Sequence, residues 1–162
     1  RRKQSEYAGA LAEKQKLRYQ YGILERQFRR YFGEAQRSRG VTGEILLQLL
    51  ETRLDNIVFR LGFASSRAAS RQMVGHGHVA VNGRKVNISS YQVRVGDKVT
   101  VRENPRSRGL ASRGLELTQI VVVPDWLSVD KENFSGSVLR IPSREEIAPI
   151  VNEQLIVELY SR

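Results

Sequence analysis

Apolar residues recur at helical spacing through the first third of the chain, and the pattern turns to short strand-like runs after His78. The spacing predicts a first helix from near Ser5 to about Tyr19, with a thin stripe of Tyr7, Ala10, Leu11 and Leu17. A second helix is clearer, because Leu24, Phe28, Tyr31, Phe32 and Ala35 fall on one face. Thr42 is placed to cap a third helix, with Glu44 against its positive end and Ile45, Leu46, Leu49 and Leu50 as core. That helix either continues or breaks near Thr52. Beyond it Leu54, Ile57, Val58 and Leu61 keep the helical period, and Gly62 stands where a helix stops. Ser65 or Ser66 then caps the stretch SRAASRQMV, since a serine oxygen can accept a bond from a free first-turn amide.

Gly75 and Gly77 release the chain into His78-Val79-Ala80-Val81, Asn82-Gly83 and Arg84-Lys85-Val86. Asn-Gly between two short strand runs is the strongest local hairpin signal, because both residues tolerate positive φ. Val93 to Val101 supplies a turn and an alternating strand. Asn104-Pro105 breaks that strand, and a short helix follows with Arg106, Arg108 and Arg113 at its start. Trp126–Val129 and Val138–Ile141 read as strands joined by a loop from Lys131 to Gly136, both extending the sheet. Ser143 and Glu146 fit a capping box, Pro149 interrupts that turn, and a final helix or extended tail carries Leu155, Ile156, Val157 and Leu159.

Charge changes the picture from a small αβ protein to a binder of polyanions. The chain has 162 residues, 27 Lys plus Arg and 17 Asp plus Glu, a net charge of +10. Such a balance favours nucleic acid first and an acidic membrane surface second. The charge is also uneven. Residues 1–42 carry 11 basic and 4 acidic groups, residues 43–113 carry 12 and 5, and residues 114–162 carry 4 and 8. No apolar run approaches the roughly 20 residues of a membrane span, and nothing resembles a signal peptide. Zero cysteines exclude disulfides and thiolate zinc sites in this stretch and are compatible with a reducing cytosol.

Candidate chemistry is cationic and hydrogen-bonding, with nothing evidently reactive. Arg67 and Arg71 sit four apart and share a helix face. With Arg84 and Lys85 past the turn they are suited to grip phosphates on two sides of one groove, because the guanidinium fork meets two phosphate oxygens at once. A second cationic surface lies in the opening segment. Arg1, Arg2 and Lys3 lead in, Lys14, Lys16 and Arg18 cluster at the first helix's end, and Arg26, Arg29 and Arg30 decorate the second. Tyr19 and Tyr21 beside that cluster are suited to stack on an exposed base or to pack in the core. His76 and His78 lack further metal ligands nearby and read as a loop pair near RNA or solvent. Asp55 reads as the partner of a nearby Arg or a backbone cap.

Residues 53–103, which open with RLDNIVFRLGFASSRAASRQMVGHGHVAVNGRKV, resemble the small RNA-binding domain named after bacterial small-subunit ribosomal protein four. QSEYAGALAEKQKLRYQYGILERQFRRYF, GEILLQLLETRLDNIVFRLGFA, PDWLSVD and NEQLIVELYSR extend the resemblance to that ribosomal family over essentially the whole chain. It implies an α+β fold: a mostly helical lobe, residues 1–52 completed by 143–162, and a small RNA-binding lobe with two helices packed on a short, mainly antiparallel sheet. That second lobe is residues 53–113, extended by 114–142. It implies direct binding of small-subunit ribosomal RNA at a multi-helix junction, nucleation of the small-subunit body, and a contribution to decoding accuracy. Implied partners are small-subunit ribosomal protein five and messenger RNA near its entry channel, on a cytoplasmic or organelle ribosome, with no membrane. RNA contacts are accordingly expected at the cations named above, with Tyr21, Arg53, Ser66, Gln72, His76 and Asn82. No cofactor or metal is expected. The family's leading segment, which carries a zinc-binding cysteine cluster in some members, is absent from this sequence, so zinc binding stays open. Enzymes bearing the same small domain need a large catalytic domain or a nucleotide-binding fold, and the residues outside 53–113 are too few for either. A free RNA chaperone is the remaining alternative, distinguished by failing to stay with the subunit through high-salt washing.

Overall fold

A computed structural model describes residues 5–161, and they form two compact units. One runs up to Leu50 and resumes at Ser143; the other spans Glu51–Pro142.

The helical unit begins with α1 (Glu6–Tyr21), capped by Ser5, whose Oγ accepts from the Ala8 amide at 3.1 Å. Its buried stripe is Ala10, Lys14, Leu17 and Tyr21, while Tyr7 is exposed. Lys14 and Tyr21 thus take the places expected for Tyr7 and Leu11. Lys14 belongs in the stripe because its ammonium lies 2.9 Å from Glu25, a partner that offsets its burial. Gly22, at φ 68°, turns the chain into α2 (Glu25–Arg37). Phe28, Tyr31, Phe32 and Ala35 face inward; Leu24 precedes the helix and is exposed. In α3 (Thr42–Glu51) Thr42 is the first helical residue instead of the cap, and Leu46, Leu47 and Leu50 are fully buried.

The chain's end completes this core. Ser143 and Glu146 form a reciprocal capping box at α7 (Arg144–Ile147), and α8 (Glu153–Tyr160) follows. Ile147, Val151 and Ile156 join the aromatic cluster. The Tyr160 ring stacks on Phe32 at 4.5 Å between centroids, and its hydroxyl donates to Glu25. Burial and the adjacent Glu25 carboxylate push the Tyr160 phenol up to about 12. Arg144 grips Glu153 at 2.7 Å, and Glu13 accepts from the Asn152 amide at 2.9 Å.

The second unit is built on a five-stranded antiparallel sheet in the order β2 (Arg84–Lys85), β1 (Val79–Val81), β3 (Lys98–Val101), β5 (Ser135–Val138), β4 (Leu127–Asp130). Helices α4 (Leu54–Arg60) and α5 (Arg67–Gly75) precede it in sequence. Then come β1, β2, β3, α6 (Pro105–Leu117), β4 and β5. Strand residues alternate in burial: Val79, Val81, Val99, Val101 and Val138 face one core with Leu54, Ile57, Val58, Leu61 and Trp126. The fold is α+β, as expected. One strand is shifted. Ser135 and Gly136, expected in a loop, open β5, and Leu139 and Ile141 are exposed beyond it. Gly136 explains the shift: an added Cβ would come within 2.5 Å of Leu61 Cδ2, so only glycine lets this strand lie against that side chain.

Candidate nucleic-acid interface

The local sequence fixes α5 firmly. Ser66 Oγ accepts from the Ala69 amide at 3.0 Å, and the chain leaves the helix through Gly77 at φ 79°. Beside α5, α4 carries a buried polar cluster of Asp55 and Asn56, joined by Glu51 and Arg53. Arg53 donates to both Asp55 oxygens at 3.1 and 3.0 Å and is 3% exposed, so its guanidinium is structural and offers no surface to RNA. Arg71 approaches Asp55 at 3.6 Å; Arg67 donates to Asn56 Oδ1 at 2.9 Å and lies over the Phe59 ring at 4.7 Å. Both are half-buried. The cluster holds these two cations in fixed positions at the α4 side of α5.

Beyond α5 the hairpin presents its cations openly. Asn82 (φ 51°) and Gly83 (φ 83°) form the two-residue turn with both residues at positive φ. Asn82 is exposed, but its side chain ties the turn to β3: Nδ2 donates to Asp97 Oδ1 and Oδ1 accepts from the Lys98 amide, both at 2.9 Å. Arg84 and Lys85 are exposed. Lys85 runs past Gly77, where an added Cβ would sit 3.4 Å from Lys85 Cδ. Arg102 reaches the same turn, donating to the Gly77 carbonyl at 3.2 Å. The backbone at Gly77 is thus flanked by Lys85 of β2 and by Arg102, just past the end of β3, next to exposed His76.

Gln72 and His76 face away from Arg67 and Arg71, into a cleft shared with α6. There α6 contributes Arg106 and Arg113, cations that sequence places at the start of this helix but does not tie to the site. His78 is buried, with Nδ1 2.7 Å from Ser107 Oγ. Burial first, then the charges of Arg106, His76 and Arg102, holds its imidazole below the usual range. It is an internal group, not part of an exposed pair. Arg102 is a further cation that sequence reasoning missed; its signal is its place at the end of an alternating strand, two residues before a helix-capping Asn-Pro.

The helical unit contributes separately. Arg26 and Arg30 are exposed on the outer face of α2, and Arg29 is exposed beside Glu25 at 3.3 Å. Lys16 is exposed and pairs with Glu13; Arg18 is half-buried against Gln15 and the Tyr19 ring. Two candidates fail. Tyr21 is 2% exposed and packs in the core, so it offers no ring face to a base, and Lys14 is committed to Glu25. Arg1, Arg2 and Lys3 lie outside the described residues. Among the described residues no group of three or more His, Cys, Asp or Glu could hold a metal ion, and no helix is long and apolar enough to cross a membrane.

Comparison with known proteins agrees with this geometry unit by unit. Residues 1–51 match the ribosomal protein S4/S9 N-terminal domain, and residues 52–99 match the S4 domain. The small ribosomal subunit protein uS4 of Akkermansia muciniphila is 61% identical over all 162 residues, covering 80% of that protein's length. Those of Opitutus terrae and Natranaerobius thermophilus are 60% and 59% identical over the same 162 residues, covering 80% and 78% of their lengths. The chain belongs to the uS4 family. In uS4 terms, the S4-domain match takes in α4, α5 and the hairpin, which hold Arg67, Arg71, Arg84 and Lys85. Helix α6 and strands β4 and β5 lie outside both matched spans, although they are built into the same compact unit.

Proposed function

We propose that the chain binds small-subunit ribosomal RNA directly, with the S4-domain cations gripping phosphates around the α5 end and the hairpin. As a member of the uS4 family it is a structural, non-catalytic ribosomal protein. One observation carries the proposal. Among the described residues, Arg84, Lys85, Arg102, Arg106 and Arg113 are exposed and form no ion pair within the protein. Cations kept clear of carboxylates retain their full attraction for a polyanion, whereas those already paired lose part of it on binding. The helical unit adds Lys16, Arg26, Arg29 and Arg30 as a further phosphate-facing set.

The finer reading is recognition of a multi-helix junction by shape, with few base-edge contacts. On that reading the protein nucleates assembly of the small-subunit body and contributes to translational accuracy. It does so in contact with small-subunit ribosomal protein five and near messenger RNA entering a cytoplasmic ribosome. The RNA face is tested by Arg84→Ala with Lys85→Ala. Both side chains are exposed on a two-residue strand, so thermal stability should stay the same while rRNA affinity falls about ten-fold at roughly 100 mM salt. Unchanged affinity would move the RNA away from the hairpin.

A further inference from the structure

We propose that the cleft between α5 and α6 admits one unstacked nucleotide of the bound RNA, its base on the apolar floor and its phosphate on Arg106 and Arg113. The inference rests on the RNA-binding reading above and adds a subsite to it. The cleft has a volume of about 320 Å³, at the small end of ligand-sized sites and enough for a single nucleotide. Phe63 and Met73 form its floor. Its α6 wall is a stripe of Arg106, Leu110, Arg113 and Leu117, spaced four, three and four residues apart and so on one helix face. The two leucines are 40% and 66% exposed, an apolar surface open to solvent and interleaved with the two guanidinium groups along the helix. Among the described residues no carboxylate lines the cleft. Apolar area beside unpaired cations matches a nucleotide, which offers a flat π-face and a negative phosphate together.

The opening is held by fixed contacts. At Gly114 the helix lies so close to Phe63 that an added Cβ would fall 2.1 Å from the Phe63 carbonyl oxygen. Thr118 Oγ1 donates to the Gly62 carbonyl at 2.8 Å, and Ser107 pairs with His78, so α6 is pinned near both ends. His76 lines the cleft and adjoins the Gly77 turn flanked by Lys85 and Arg102.

The test uses the full chain, isotopically labelled, titrated with AMP, with UMP and with inorganic phosphate. Both nucleotides should shift the methyl signals of Met73, Leu110 and Leu117, and phosphate alone should leave them in place. In parallel, Leu110→Trp fills the mouth without changing charge, and Arg113→Gln keeps the wall but removes a cation. Both positions are exposed, and a thermal melt checks that each variant folds; Arg113→Gln serves alone if Leu110→Trp does not. Each should weaken binding of small-subunit rRNA about ten-fold. If the parent binds rRNA and the folded variants bind it equally well, the cleft is not a nucleotide site, while the wider RNA-binding reading stands. If the parent does not bind rRNA, both readings fall. Methyl shifts with the peptide Asp-Leu-Phe-Asp but with neither nucleotide would assign the cleft to a protein partner and overturn the proposal.

Discussion

Asp55 accepts from Arg53 and from the Asn56 amide at 2.7 Å, and lies 3.6 Å from Arg71, while being itself 2% exposed. Removing it takes from the buried Arg53 guanidinium the carboxylate that accepts two of its hydrogen bonds, the costly half of a broken buried pair. Asp55→Ala should therefore lower stability by about 3–5 kcal/mol in urea unfolding; a loss under about 1 kcal/mol would mean that water reaches Arg53. His78 makes an opposite kind of commitment, since burial and neighbouring cations favour its neutral form. A histidine whose folded pKa lies below its unfolded value near 6.5 gives the unfolded chain the greater proton affinity. Its contribution is present above that value and is lost as pH falls through the lower, folded one. Stability measured from about pH 7 down to about pH 5 should decline, and His78→Gln should flatten that decline after its own constant cost is subtracted. An equal slope in the variant would assign the acid sensitivity to the carboxylates.

Among the elements, α6 owes its position to a missing side chain, that of Gly114. Gly114→Ala should push α6 off the Phe63 backbone and lower stability by about 1–3 kcal/mol, as overpacking does, read as a fall in melting temperature. A neutral result would mean that the residues 62–64 turn yields easily. Helices α1 to α5 and the Asn-Gly hairpin are legible in the sequence because each carries its own local signal: a cap, a period or a positive-φ pair. The stripe of α1 is not, because Lys14 counts as polar until Glu25, eleven residues on, is known to meet it. Strand β5 escapes as well, because Ser135-Gly136 has loop chemistry, and only the Leu61 side chain explains a glycine there. Arg53 and Tyr21 look like interface residues for the same reason. A basic or aromatic residue in a basic segment shows its type in sequence, while its burial depends on partners elsewhere in the chain. The face of α6 that repeats Arg-Leu-Arg-Leu is legible in principle, since it needs only helical spacing.

At the scale of the whole molecule, a net charge of +10 with unpaired cations on the S4 domain is the ground for proposing phosphate contact as the main source of affinity. Binding to rRNA should then fall steeply with salt. Arg84→Ala with Lys85→Ala should shallow the log–log slope by about 2, one for each phosphate no longer neutralised. An unchanged slope would place both side chains away from the RNA. Salt dependence alone does not separate a site-specific ribosomal protein from a general RNA binder, because both use phosphates. The decisive measurement is competition. The labelled early-folding domain of small-subunit rRNA, bound at near-physiological salt, is challenged with excess transfer RNA, with unlabelled intact domain, and with the same domain carrying a disrupted helix junction. Displacement by the intact junction alone is the predicted result. Equal displacement by all three would contradict junction recognition and leave a cationic surface that binds RNA without choosing its shape.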